Sequence, residues 1–172
     1  MPKIIHYFVE GKCEEKLINM LKQPKNGGYI LAGKVEVLNF INEQITNLRI
    51  MNLKPGALIV LVYDTDVQNE EMLCANINKL KKHGFNKIYH IHSVQNFEDE
   101  LIYSTDINKI NDFISTRNVV EFKSKFISMK ESALNSKLKY HDFNMDRMWS
   151  RQGIGCFGKY STSEGIKLIK KV

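Results

Sequence analysis

The sequence predicts an α/β protein of Rossmann-like build: a four-stranded, mostly parallel sheet flanked by helices, with a helical extension after it. Three observations predict it. Runs rich in β-branched and aromatic residues, Lys3–Val9 (KIIHYFV) and Ala57–Tyr63 (ALIVLVY), read as buried strands, and Val35–Phe40 and Lys87–His92 as two further strands. Helical patterns lie between them, over Cys13–Gln23, about Ile41–Met51 and Asn69–His83. The connections are short and marked by breakers, PKNGG at residues 24–28, Pro55-Gly56 and Gly84. Strand–helix alternation of this kind favours a parallel sheet covered on both faces.

From Phe97 onward the pattern turns helical, over Phe97–Tyr103, Asp106–Thr116, Val119–Leu134 and about Ser163–Lys171, with QGIGCFG at residues 152–158 as a glycine-rich loop. The expected organisation is therefore an α/β core over residues 1–103 and a basic helical extension over 104–172, packed as one domain. At 172 residues the chain can bury about 70% of its unfolded surface in one core. No apolar run reaches the ~20 residues of a membrane span, so no membrane association is expected. The N-terminal MPKIIHYFVEGK has no cleavage-site pattern and reads as strand. Cys13, Cys74 and Cys156 are odd in number and widely spaced, which argues against a disulfide framework or a structural zinc and for a reducing cytoplasm.

The net charge of +6 is unevenly placed. Residues 1–116 carry 13 Lys and Arg against 14 Asp and Glu, a balance of −1; residues 117–172 carry 12 against 5, a balance of +7. Such a segment is either a solvated face or an electrostatic footprint for a polyanion, with nucleic acid the first candidate. KLKYHDFNMDRMWSR (137–151) interleaves bases and aromatics as single-strand-binding surfaces do, although the same spacing suits a helix core face. Phe113, Phe122 and Phe126 read as core, and His6, His90 and His92 as hydrogen-bonded strand residues.

Chemistry is expected at the carboxyl ends of the strands, where ligands of open parallel sheets bind. Glu10 follows the first strand, Asp64 and Asp66 the third, and His92-Ser93 close the fourth. Two like charges about 4 Å apart repel by about 4 kcal/mol at an effective dielectric near 20. Carboxylates gathered there must be protonated or share a cation, and a hard ion such as Mg²⁺ prefers oxygen ligands. Asp-x-Asp alone could be a capped turn; Glu10 on the same edge gives it weight. Glu14 and Glu15 complement a helix dipole, and Glu70 and Glu71 fall in the first turn of the next helix.

A strand ending VEGK, with Glu10, and a later strand ending YDTD, with Asp64 and Asp66, resemble the Toprim domain. The spacing of Glu10 and Glu14 (EGxxE) is similar to the OLD-like and RloB-like nucleases of that group. VQNFEDELI (94–102) resembles the segment after the fourth strand of RloB-like proteins, which implies that Glu98 joins the site as a further ligand. The resemblance covers roughly residues 3–103. It implies a metal-dependent nuclease acting on DNA or RNA with Mg²⁺ or Mn²⁺. Glu10, Glu14, Asp64, Asp66 and Glu98 would hold metal, Glu10 would also serve as general acid/base, and a metal-activated water would attack the phosphodiester. Lys159 in FGKY is the best match to the late lysine of OLD-type nucleases, with Lys139 second. The chain lacks a GxxxxGK[ST] loop, so an ATPase would be a separate partner; a prokaryotic defence setting and a homodimer are further implications. Two other readings compete: a Toprim scaffold that binds nucleic acid or a protein without cutting, and an Asp-x-Asp nucleotide-sugar transferase, which leaves Glu10 without a role. The length leaves no room for a topoisomerase gate, and a haloacid-dehalogenase phosphatase would need its DxD after the first strand.

Overall fold

The pleat of each strand sends successive side chains to opposite faces, and the first and third strands are buried at every position, so both faces of the sheet are covered. The computed structural model describes residues 4–171; Lys3, expected to open the first strand, lies outside them. Strands β1 (Ile5–Val9), β2 (Lys34–Val37), β3 (Leu58–Asp64) and β4 (Ile88–Ser93) form one sheet in the order β2-β1-β3-β4. Every neighbouring pair is parallel, with Val9 beside Val37 and Val62, and Asp64 beside Ser93. Chain order reverses between β1 and β3, which makes their carboxyl ends the topological switch point of the sheet, the place where ligands of such sheets bind.

Helices α1 (Lys12–Leu21), α2 (Asn47–Met51), α3 (Glu70–Lys82) and α4 (Phe97–Tyr103) connect and follow the strands. The extension supplies α5 (Ile110–Phe113), α6 (Val119–Ser128), α7 (Glu131–Tyr140) and α8 (Thr162–Ile169). One face of the sheet (Ile5, Tyr7, Val9, Val60, Val62, Ile91) packs with Leu17 of α1, Phe122 and Phe126 of α6, Leu138 of α7 and Ile166 of α8. The other (Phe8, Ile59, Leu61, Tyr63) is covered by Ile50 of α2 and Leu73, Ile77 and Leu80 of α3. The extension thus completes the core of the strands rather than standing apart. Helix α8 lies so close to β4 that a Cβ at Gly165 would collide with the His90 carbonyl. No helix among the described residues is long and apolar enough to cross a membrane.

Several elements are shorter than the sequence pattern suggests, in two cases where side chains take over backbone hydrogen bonds. The helix expected over Ile41–Met51 is only Asn47–Met51. Asn39 Oδ1 accepts from the Ile41 and Asn42 amides, and buried Asn76 bonds Ile45 N, Phe40 O and Glu43 O, which holds residues 40–45 as a turn. The long helix expected over Val119–Leu134 breaks at Met129 and Lys130, both extended, giving α6 and α7. The helix over Asp106–Thr116 shrinks to Ile110–Phe113, where Asp112 caps the amides of Asn108 and Lys109. Residues 155–159 form a 3₁₀ turn inside the expected loop, with Phe157 buried. In the segment 137–151, Leu138, Met145, Met148 and Trp149 are core, while Tyr140 is exposed.

Fully buried Glu100 of α4 ties the extension down. It accepts from Trp149 N (2.7 Å), Arg151 Nη2 (2.7 Å) and Val94 N (3.2 Å). Glu100→Ala leaves the guanidinium and two amides without their acceptor. A loss of about 3–5 kcal/mol in urea unfolding is expected, since breaking a buried pair strands its partner; a loss under about 1 kcal/mol would refute this anchoring role.

Candidate functional site

Because β1 and β3 are neighbours, the residues that follow them meet across the crevice. Glu10 N donates to Val62 O (3.1 Å), and Asp64 N donates to Glu10 Oε2 (2.9 Å). The other carboxylate oxygen, Glu10 Oε1, accepts from Asn39 Nδ2 (2.9 Å), just past the end of β2. Asn39 is itself fixed by its turn, so three strand ends converge on the Glu10 carboxylate. Sequence reasoning passed over Asn39, because its role depends on β2 lying next to β1.

Glu14 lies in the first turn of α1, 4% exposed, with its carboxylate folded back over Gly11 at the helix start. Glu98, at the start of α4 and 7% exposed, approaches from the β4 side, its helix capped by Asn96. Asp64 is 8% exposed, and its Oδ1 is buried with no hydrogen-bond partner. Asp66 stands exposed in the turn after β3, although its charge still reaches Glu10 and Asp64. The structure therefore brings Glu10, Glu14, Asp64 and Glu98 to one edge and leaves Asp66 at its rim.

Burial and mutual repulsion act together on these groups. Burial, then the charges of Glu14, Glu10, Asp66 and Glu98, push Asp64 up to about 9. Burial, then Glu10 and Glu98, push Glu14 up to about 7. Glu10 is raised mainly by burial, against the Asp64 amide that favours its charged form. The cation at this edge is Lys123 of α6, whose Nζ lies 3.3 Å from Glu98 Oε1, an ion pair rather than a directed hydrogen bond. Burial alone would lower the Lys123 ammonium, but Glu98, Cys13 and Glu14 hold it above its ordinary value. Lys159 is elsewhere: it is exposed and ion-paired to Glu70 at the start of α3.

The donors are the hard oxygens that Mg²⁺ or Mn²⁺ takes, and the buried, unpartnered Asp64 oxygen is an acceptor such an ion would satisfy. In kind, then, the residues fit a divalent ion. Among the described residues, no group of three or more His, Cys, Asp or Glu side chains is placed so that it could hold a metal ion as it stands.

The histidines of β4 serve structure. Gly153 N donates to His92 Nδ1 (2.9 Å), so the His92 proton sits on Nε2 and points to Tyr63 Oη (2.9 Å). The Tyr63 hydroxyl is then free to donate to His90 Nδ1 (3.0 Å). Burial lowers His92 to about 4 and His90 to about 3, consistent with neutral rings. Their chain clamps residues 152–158 to the far face of the sheet. Compared with protein-family models, curated proteins and solved structures, this chain matches none of them.

Proposed function

We propose that this chain is a divalent-metal-dependent nuclease that hydrolyses phosphodiester bonds of DNA or RNA at the crevice between β1 and β3. The observation that carries the reading is the buried Asp64 carboxylate, with one oxygen unpartnered and three other acids beside it. Such a group has no folding rationale by itself, because replacing it with an apolar or amide side chain would remove both desolvation and repulsion. The Toprim resemblance, with Glu10 after the first strand and Asp64 and Asp66 after the third, supports the same reading.

Asp64, Glu14 and Glu98 would hold Mg²⁺ or Mn²⁺, with Asp66 at the open rim and Glu10 beside them. The ion would supply Lewis-acid stabilisation of charge on the phosphate. Glu10 is held on both oxygens, by Asn39 and by the Asp64 amide, and its raised proton affinity suits transfer of a proton at the reacting oxygen. No role in this chemistry is assigned to Lys159, whose ammonium is occupied by Glu70. The same resemblance supports a prokaryotic defence setting and a separately encoded ATPase partner, and the free Cys13, Cys74 and Cys156 support a reducing cytoplasm.

Mn²⁺ or Mg²⁺ is expected to raise the melting temperature and to permit cleavage within a panel of DNA and RNA substrates. Protein that neither gains stability from these ions nor cuts any substrate would exclude the reading. That no group of three or more His, Cys, Asp or Glu side chains is placed to hold a metal among the described residues favours one alternative, a scaffold that binds nucleic acid without cutting. Binding of DNA or RNA indifferent to metal and to Asp66→Ala would identify it.

A further inference from the structure

We propose that Lys123 is the resident counter-cation of the carboxylate site, and that a divalent ion enters by displacing its ammonium from Glu98. This rests on the reading of these carboxylates as a metal site. Among the described residues, no other Lys or Arg forms an ion pair with Glu10, Glu14, Asp64 or Glu98. The nearby Lys12 turns to Glu15 (2.8 Å), and Lys159 to Glu70. Among the described residues, Lys123 alone sets a positive charge against the cluster, and that charge favours the ionised forms of Glu10 and Glu14 as well as pairing Glu98.

The way Lys123 is mounted makes it exchangeable. Its helix is fixed: Asn118 Oδ1 caps α6 by accepting from Glu121 N (2.9 Å), and Phe122 and Phe126 are fully buried. The Lys123 side chain itself is 48% exposed, against 10% for Glu98. A four-carbon stem can carry the ammonium into water while α6 stays packed. Glu98 cannot leave so easily, so it is the stationary partner for which two cations compete. While Lys123 pairs with Glu98 Oε1, that negative charge is already partly compensated, and the ammonium opposes a second cation arriving nearby.

Mn²⁺ titration of the whole protein, read by the loss of the free-ion EPR signal at pH 8 and low salt, tests this. Lys123→Gln is expected to tighten Mn²⁺ binding roughly threefold to fivefold, the scale of a partly exposed charge interaction. Lys123→Arg keeps the charge and should leave the Kd near the wild-type value. Glu98→Gln removes the seat both cations share, so adding Lys123→Gln in that background should gain clearly less than it does with Glu98 present. Equal or weaker binding by Lys123→Gln overturns the proposal, as does the same gain with and without Glu98. Wild-type protein that binds no Mn²⁺ would fail the metal-site reading itself, an outcome distinct from both. Melting curves in EDTA for each variant separate these effects from loss of fold.

Discussion

Asp64→Asn is expected to abolish metal-dependent phosphodiester cleavage and, in the same protein, to raise metal-free stability at pH 8. The two effects have one cause. Asp64 carries a carboxylate in a buried place beside Glu14, Glu10 and Glu98, and both burial and repulsion disfavour its charge. Asn keeps the shape, removes the charge, and offers an amide N–H to neighbouring carboxylates; the hydrogen bond from the residue 64 backbone amide to Glu10 is untouched. A gain of about 1–2 kcal/mol in EDTA is expected, the usual scale when an active-site strain is relieved. Activity should fall on the order of 10³-fold, comparable with the removal of one preorganised electrostatic group. Urea unfolding in EDTA and a cleavage assay on a single preparation read both. Retained cleavage would remove Asp64 from the chemistry. Lost cleavage with lowered stability would make it a structural residue.

The parts of this site that could be read in the sequence are those written along a strand. The apolar run Ala57–Tyr63 ends where β3 ends, so Asp64 and Asp66 could be placed at its carboxyl edge, and Glu10 at the equivalent edge of β1. Glu70 and Glu71 were legible as the first turn of α3 for the same reason. What could not be read depends on which elements become neighbours. Asn39 matters because β2 pairs with β1, and Lys123 because α6 packs against α1 and α4 at the site's rim. The break at Met129–Lys130 that separates α6 from α7 has no proline or glycine to announce it. Lys159 was reached by motif order, and the fold gives it to Glu70 instead. Glu100 looked like one acid among three in FEDE, yet its burial and its hold on Arg151 and Trp149 make it a structural anchor beside the candidate ligand Glu98.

Between pH 6.5 and 9 the metal-free protein should lose stability as pH rises, and saturating Mg²⁺ or Mn²⁺ should cancel or reverse that loss. Glu14 and Asp64 are raised in the folded protein to about 7 and about 9, from ordinary values of 4.5 and 3.8. The folded state therefore binds more protons than the unfolded chain across this interval. Stability then falls with pH until the folded groups have titrated. Below 6.5 the sign is mixed, because His6, His90 and His92 are held well below that value by burial and make acid destabilising. Cys13, pushed up to about 12, adds a loss in the same direction only as its unfolded thiol ionises near pH 9. Asp64→Asn isolates the carboxylate contribution by flattening the curve in EDTA. A divalent ion held by these carboxylates would take their ionised forms, so it would bind more tightly as pH rises, release protons on binding, and stabilise in proportion to its occupancy. Calorimetric titrations at pH 7.5 in buffers of different ionisation enthalpy should register net proton release on Mn²⁺ binding, and less of it in Asp64→Asn. A metal-free stability that is flat or rising from pH 6.5 to 9, or Mn²⁺ binding without proton release, would mean that the acids at the β1–β3 crevice are not the charge-frustrated site described for them.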